Sequence, residues 1–217
     1  MNEKIRVLIV DDHPLLRKAL AIVLSKCENM EVVGECNDGE DAIEKAFILS
    51  PDVIIMDLSL PGISGVQATE EIVKENPDTR VLAFSGTNDD STILAAVQAG
   101  ATGFLAKATC EMDIIKAVNE TYNGSITLKA DILRQLINQT AAGKPKLRYR
   151  EILTKRELEI IDRISHGETN HVIAETMELT NSTVRSHINH ILTKVGVKSR
   201  IDLVRFVLVG GLEETIV

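Results

Sequence analysis

Residues 51–62 read Pro51-Asp52-Val53-Ile54-Ile55-Met56-Asp57-Leu58-Ser59-Leu60-Pro61-Gly62. A short apolar run, Val53 to Met56, ends in one carboxylate and is closed by a Pro-Gly turn signal. A run this short, rich in Ile and bounded by turn residues, fits a strand buried on both faces, as in a parallel sheet. Asp57 ends that strand. In open parallel α/β sheets the ligand crevice lies beyond the carboxyl ends of the strands. The carboxylate therefore stands where such folds carry chemistry.

Working outward, the same grammar repeats. Ile5–Val10 is an apolar strand ending in Asp11-Asp12, and Pro14 suits the first turn of a helix whose apolar positions are Leu16, Leu20, Val23, Leu24 and Cys27. Glu31–Gly34 predicts a second strand, and 38–49 a helix with Ala42, Ile43, Ala46 and Phe47 inward. Beyond the Asp57 strand come a helix over 64–74, a strand over 80–85, a helix over 91–99, a strand over 102–106 and a helix over 109–122. Five β/α units in alternation imply a doubly wound parallel sheet with helices on both faces.

The strand ends then fall on one rim: Asp11-Asp12, Asp57, Ser85, and Lys107 just past the fifth strand. Crowded carboxylates repel when ionised. A hard divalent cation relieves that cost, and oxygen ligands with room for water favour Mg²⁺. A hydroxyl and an ammonium beside them suit a group with several anionic oxygens. The chemistry indicated is phosphoryl transfer to a carboxylate, with Asp57 as nucleophile, Asp11 and Asp12 on the metal, and Ser85 and Lys107 on phosphoryl oxygens.

On Asp11-Asp12, Asp57 with Pro61-Gly62, Ser85, and Lys107 within GFLAK, residues 4–123 resemble a response-regulator receiver domain. The resemblance implies a flavodoxin-like five-stranded sheet of order 2-1-3-4-5. It implies phosphorylation of Asp57 by a sensor histidine kinase. It places Mg²⁺ on Asp12, Asp57 and the main-chain carbonyl of Ser59, with Asp11 acting mostly through water. Ser85 and Phe104 become a switch pair, Phe104 lacking the hydroxyl of the commoner Tyr. Relatives often follow the lysine with proline. Here Ala108 stands there, which predicts a trans bond, since a cis bond costs about 3 kcal/mol without proline.

Residues 124–149 break the pattern. DILRQLI (131–137) predicts a short helix, and TAAGKPKLRYR (140–150) a polar, basic tether between domains. Past it, Thr154 and Glu157 stand at capping-box spacing before a helix striped by Leu158, Ile161 and Ile164 and stopped by Gly167. A short helix follows near 170–177. Thr180 then caps a third helix, with Val184, Ile188, Ile191, Leu192 and Val195 on one side and Ser182, Arg185, Ser186, Asn189 and Thr193 on the other. Arg and Asn can read base edges, so 170–189 reads as a helix-turn-helix. Ser199–Val209 is the last helix.

On Leu153-Thr154, Arg156-Glu157, Gly167, Asn170, Ile173-Ala174, Thr183-Val184, His187, Ile191, Lys194 and Val197, residues 150–212 resemble the LuxR-type DNA-binding domain of NarL/FixJ response regulators. The resemblance implies a small four-helix domain that binds double-stranded promoter DNA through Ser182, Arg185, Ser186, Asn189 and Lys194. It also implies a homodimer on phosphorylation, paired through the last helix, with RNA polymerase as a further partner.

Charge follows the same division. Residues 1–123 carry 10 Lys/Arg against 21 Asp/Glu, while 124–217 carry 14 against 11, so an acidic half precedes a basic one within a net charge of −8. The 217 residues hold no apolar run near the ~20 that a membrane span needs. IRVLIV is too short for a signal-peptide core. Three scattered cysteines, Cys27, Cys36 and Cys110, read as buried thiols of a reducing compartment. The expectation is a cytoplasmic, non-enzymatic transcription regulator with no membrane partner. Two other readings stay open. A phosphatase using Asp57 transiently would need a second Asp where Ser59 stands. A constitutive DNA-binding protein would have a receiver that no longer accepts phosphate.

Overall fold

A computed structural model describes residues 4–76, 78–86, 89–125, 153–197 and 199–207. The chain divides into two compact units, 1–127 and 128–217. The tether and the short helix expected at 131–137 lie outside the described residues.

The first unit holds β1 (Ile5–Val10), α1 (Pro14–Ser25), β2 (Met30–Cys36), α2 (Gly39–Leu49), β3 (Val53–Asp57), α3 (Gly65–Glu75), β4 (Arg80–Ser85), α4 (Asp90–Gln98), β5 (Gly103–Ala106) and α5 (Glu111–Tyr122). The sheet has the order β2-β1-β3-β4-β5, and every pairing is parallel. The flavodoxin-like order expected from the resemblance is therefore present.

Period-2 alternation explains why the central strands read as continuous apolar runs. Val53 and Ile55 pack with Ile9, Leu24, Phe84 and Val118 on the face covered by α1 and α5. Ile54 and Met56 pack with Leu8, Ala42, Ala68 and Ile72 on the other. Each such side chain, fully buried, contributes roughly 1.5–3 kcal/mol. Both layers converge on β3 and fix where Asp57 emerges.

Helix starts are chemically specified. Asp38, Ser64 and Asp89 accept the amides of Asp41, Gln67 and Thr92, and Ser64 with Gln67 forms a capping box. Gly65 is required at the start of α3: a Cβ there would lie 1.9 Å from the Asp57 carbonyl oxygen. The missing side chain lets α3 begin directly beneath the end of β3.

Three expectations change. Phe47 is 49% exposed, because it lies about 140° round the helix from Ala42 at 100° per residue. The helix meets the sheet through Ala42, Ile43, Ala46 and Leu49 instead. β2 runs from Met30 to Cys36, longer than expected, as an edge strand with Glu31 and Glu35 exposed. Of the thiols only Cys36 is buried, Cys110 being exposed. Burial first, and then the charge of Asp41, pushes the Cys36 thiol up to about 12.

The second unit contains α6 (Lys155–Ser165), α7 (Asn170–Thr176), α8 (Asn181–Val195) and α9 (Arg200–Phe206). Ile160, Ile161, Ile164, Ile173, Val184, Ile188, Ile191 and Leu203 form its core. Val204, Phe206 and Val207 pack half-buried against that core, so α9 spends part of its apolar surface within its own domain. Leu208 and Val209 lie outside the described residues. Among the described residues, no helix is long and apolar enough to cross a membrane.

Candidate functional site

The carboxyl ends of β1 and β3 and the residue after β5 meet at one point. Asp57 and Asp11 are almost wholly buried. Lys107 reaches between them, its Nζ 2.7 Å from Asp57 Oδ2 and 2.8 Å from Asp11 Oδ2. The other Asp57 oxygen, Oδ1, accepts the Ser59 amide at 3.0 Å. Burial alone would lower the Lys107 pKa, but its hydrogen bonds to Asp11 and Asp57 and their charges outweigh that and hold it above the ordinary lysine value. The lysine is a fixed cation over buried carboxylates.

Ser85 is fully buried at the end of β4, and its carbonyl accepts the Lys107 amide at 2.8 Å, tying the lysine loop to the serine strand. Phe104 stands opposite Ala83 on β5, half-buried against the core. The Lys107–Ala108 bond is trans, as expected.

Two contributors escaped the sequence reading. Arg17, on α1, donates from Nη1 to the Asp11 carbonyl at 2.6 Å and pins the acidic turn. His13 donates its amide to Asp11 Oδ1 at 2.8 Å, and its ring Nδ1 lies 3.3 Å from that oxygen and 2.5 Å from Asp12 Oδ1. Its position directly after Asp11-Asp12 was the available signal.

The donor set suits a divalent cation. Ligand atoms of Asp11, Asp12, His13 and Asp57 all lie within 4.8 Å of one another. Asp12 Oδ1 is buried without a well-directed hydrogen bond, and the Lys107 ammonium pairs with Asp11 and Asp57, leaving the cluster with more carboxylates than that one cation neutralises. An oxygen-rich, over-acidic cluster of this kind fits Mg²⁺.

In the second unit, α7 and α8 are joined by a turn at Met177–Thr180, with Glu178 at φ +54. Arg156 on α6 donates to the Met177 carbonyl at 2.6 Å and clamps that turn. Thr180 accepts the Thr183 amide and starts α8. Val184, Ile188, Ile191, Leu192 and Val195 are all buried, as the apolar stripe requires. Ser182 and Ser186 are exposed and Arg185 and Asn189 half-exposed on the opposite side. Lys194 Nζ lies 2.8 Å from both oxygens of Glu157. Arg200 donates to Asn170 Oδ1 at 2.8 Å and to the Glu168 carbonyl at 2.6 Å, locking α9 to α7.

A doubly wound sheet with this acid–lysine rim defines a receiver, and a helix-turn-helix follows it in the same chain. The comparisons agree. Residues 7–119 match the response regulator receiver domain, and residues 151–207 the bacterial regulatory proteins of the luxR family. The chain is 36% identical over 200 residues to the response regulator protein VraR of Staphylococcus saprophyticus, covering 92% of this chain and 94% of that one. It is 36% identical over 196 residues to the transcriptional regulatory protein LiaR of Bacillus subtilis, covering 90% and 93%. The signal receiver domain of the putative response regulator NarL from Mycobacterium tuberculosis superposes with a TM-score of 0.55 at 38% identity, covering 56% of this chain and 98% of that one. The chain belongs to the LuxR-type response regulators of two-component systems, with a receiver and a LuxR-type DNA-binding domain.

Proposed function

We propose that Asp57 accepts a phosphoryl group from the phosphohistidine of a sensor kinase, and that this controls promoter binding by the second domain. The observation that supports it most is the pairing of Asp57 with Lys107 at 2.7 Å on the carboxyl edge of β3, beside the buried Asp11. An Asp57 carboxylate oxygen attacks phosphorus, the P–N bond breaks, and the imidazole leaves as the neutral ring after taking a proton. Lys107, already cationic, then faces the new phosphoryl oxygens. Ser85 lies at the adjacent strand end to bind another. Asp12, Asp57 and the Ser59 carbonyl would hold Mg²⁺, with Asp11 acting through water, and the ion would supply charge neutralisation of the transferring group.

An aspartyl phosphate adds about two negative charges. Our reading is that Ser85 turns toward it and Phe104 follows into the space left, altering a surface that favours a homodimer. Ser182, Arg185, Ser186 and Asn189 then enter the major groove of double-stranded DNA. Lys194 adds a weaker phosphate contact, since Glu157 offsets its charge. RNA polymerase is the partner downstream.

Incubating the full chain with Mg²⁺ and acetyl phosphate tests the first step. The reading expects one phosphoryl group, on Asp57, and none in Asp57→Asn. Incorporation elsewhere, or none in the wild type, would return the protein to the reading of a DNA-binding regulator with a degenerate receiver.

A further inference from the structure

We propose that His13 is a nitrogen ligand of the acidic cluster and sets its metal preference, shifting it toward first-row transition ions such as Mn²⁺. This rests on the reading of that cluster as a divalent-cation site.

The geometry carries the inference. Adjacent ligands in an octahedral shell with bonds of about 2.1 Å stand about 3 Å apart. His13 Nδ1 lies 2.5 Å from Asp12 Oδ1, about half an ångström short of that spacing, and a ring nitrogen of His13 lies within 4.8 Å of an Asp57 carboxylate oxygen. The backbone holds the ring in place, because the His13 amide is bound to Asp11 Oδ1 at 2.8 Å and Pro14 follows as the first residue of α1. His13 caps no amide of that helix with its side chain. The ring is also 69% exposed, so it is not a packing residue and can turn a few tenths of an ångström onto an ion. Asp12 Oδ1, buried without a directed donor, is the atom it would share the ion with.

Ligand chemistry decides the consequence. Carboxylates and carbonyls suit Mg²⁺ and Mn²⁺ alike, whereas an imidazole adds affinity for transition ions, least for Mn²⁺ within that series, and little for Mg²⁺. A site of Asp12, Asp57 and a carbonyl alone is hard; with His13 it becomes mixed.

The test uses the tag-free full-length protein, with Mn²⁺ and Mg²⁺ as probes. Pulsed electron paramagnetic resonance of bound Mn²⁺ should show a directly coupled ¹⁴N in the wild type and none in His13→Ala. Competition should show the preference for Mn²⁺ over Mg²⁺ falling by about tenfold or more in that variant, with Mg²⁺ affinity nearly unchanged. Asp12→Asn should lose both ions. Mn²⁺ bound without nitrogen coupling, or a preference unaltered by His13→Ala, overturns the role of His13 while leaving the cation site standing. Failure of the wild type to bind either ion overturns both.

Discussion

Lys107 bridges Asp57 and Asp11: its ammonium lies 2.7 Å from one carboxylate and 2.8 Å from the other, and both acids are buried. Residues 50 and 96 positions away in sequence are thus held by one cation. Removing it as Lys107→Met leaves two buried carboxylates with no ammonium. The receiver should lose on the order of 3 kcal/mol without divalent cations. Added Mg²⁺ should restore much of that loss, because it supplies the missing charge at the same carboxylates. Urea unfolding with and without Mg²⁺ checks both parts, and a variant as stable as wild type in chelator would contradict the electrostatic role.

Gly65 sets the height of α3 against Asp57. A methyl group there meets the Asp57 carbonyl oxygen at 1.9 Å, a backbone atom that cannot swing aside. Gly65→Ala should cost at least the roughly 1–3 kcal/mol typical of overpacking and slow phosphorylation of Asp57. Gly86→Ala, where a Cβ meets nothing within 4 Å, should be nearly neutral for stability. Thermal unfolding of the pair separates a steric cause from a general intolerance of substitution near the site.

Much of this architecture was legible in the sequence, and the exceptions have physical reasons. β1, β3 and β4 announce themselves because both faces of each are buried, leaving unbroken apolar runs. β2 is an edge strand whose Glu31 and Glu35 face solvent, so its run looked shorter than it is. Phe47 looked inward because apolar type is not the same as helical phase. The core and polar stripes of α8 were readable because a 3.6-residue period separates them cleanly. Arg17, which bonds a carbonyl, and the Glu157–Lys194 pair, 37 residues apart, depend on how elements pack and leave no local pattern.

That pair predicts a pH dependence. Burial by itself would raise the Glu157 carboxyl, but the hydrogen bond from Lys194 and those from Thr154 outweigh it and hold the group below its ordinary 4.5. A depressed folded value means the stabilisation is fully present above 4.5 and is lost as pH falls through the folded value. Unfolding of the DNA-binding domain, followed in the full chain between pH 6 and pH 3, should show this acid loss. Glu157→Gln should be less stable near neutrality and should show a shallower fall. An unchanged acid limb in the variant would assign the loss to other carboxylates.

Arg185 and Asn189 stand one turn apart on the polar side of α8, opposite the buried Val184 and Ile188. Arg185→Ala should weaken binding to the cognate site by about 1–3 kcal/mol and relax specificity at one base pair. Non-specific binding should change little more than one lost phosphate contact. A uniform loss across all sequences would move Arg185 from base reading to backbone positioning. Titrations against a set of single-base variants, at fixed salt, distinguish the two.

The central claim is that the receiver site governs the reader. The most direct measurement is promoter binding by the full chain, with and without Mg²⁺ and beryllofluoride as an aspartyl-phosphate mimic, run beside sedimentation. The account predicts a dimer and binding tighter by about tenfold or more with the mimic, and no response in Asp57→Asn. Equal DNA affinity and an unchanged sedimentation coefficient with and without the mimic would contradict it.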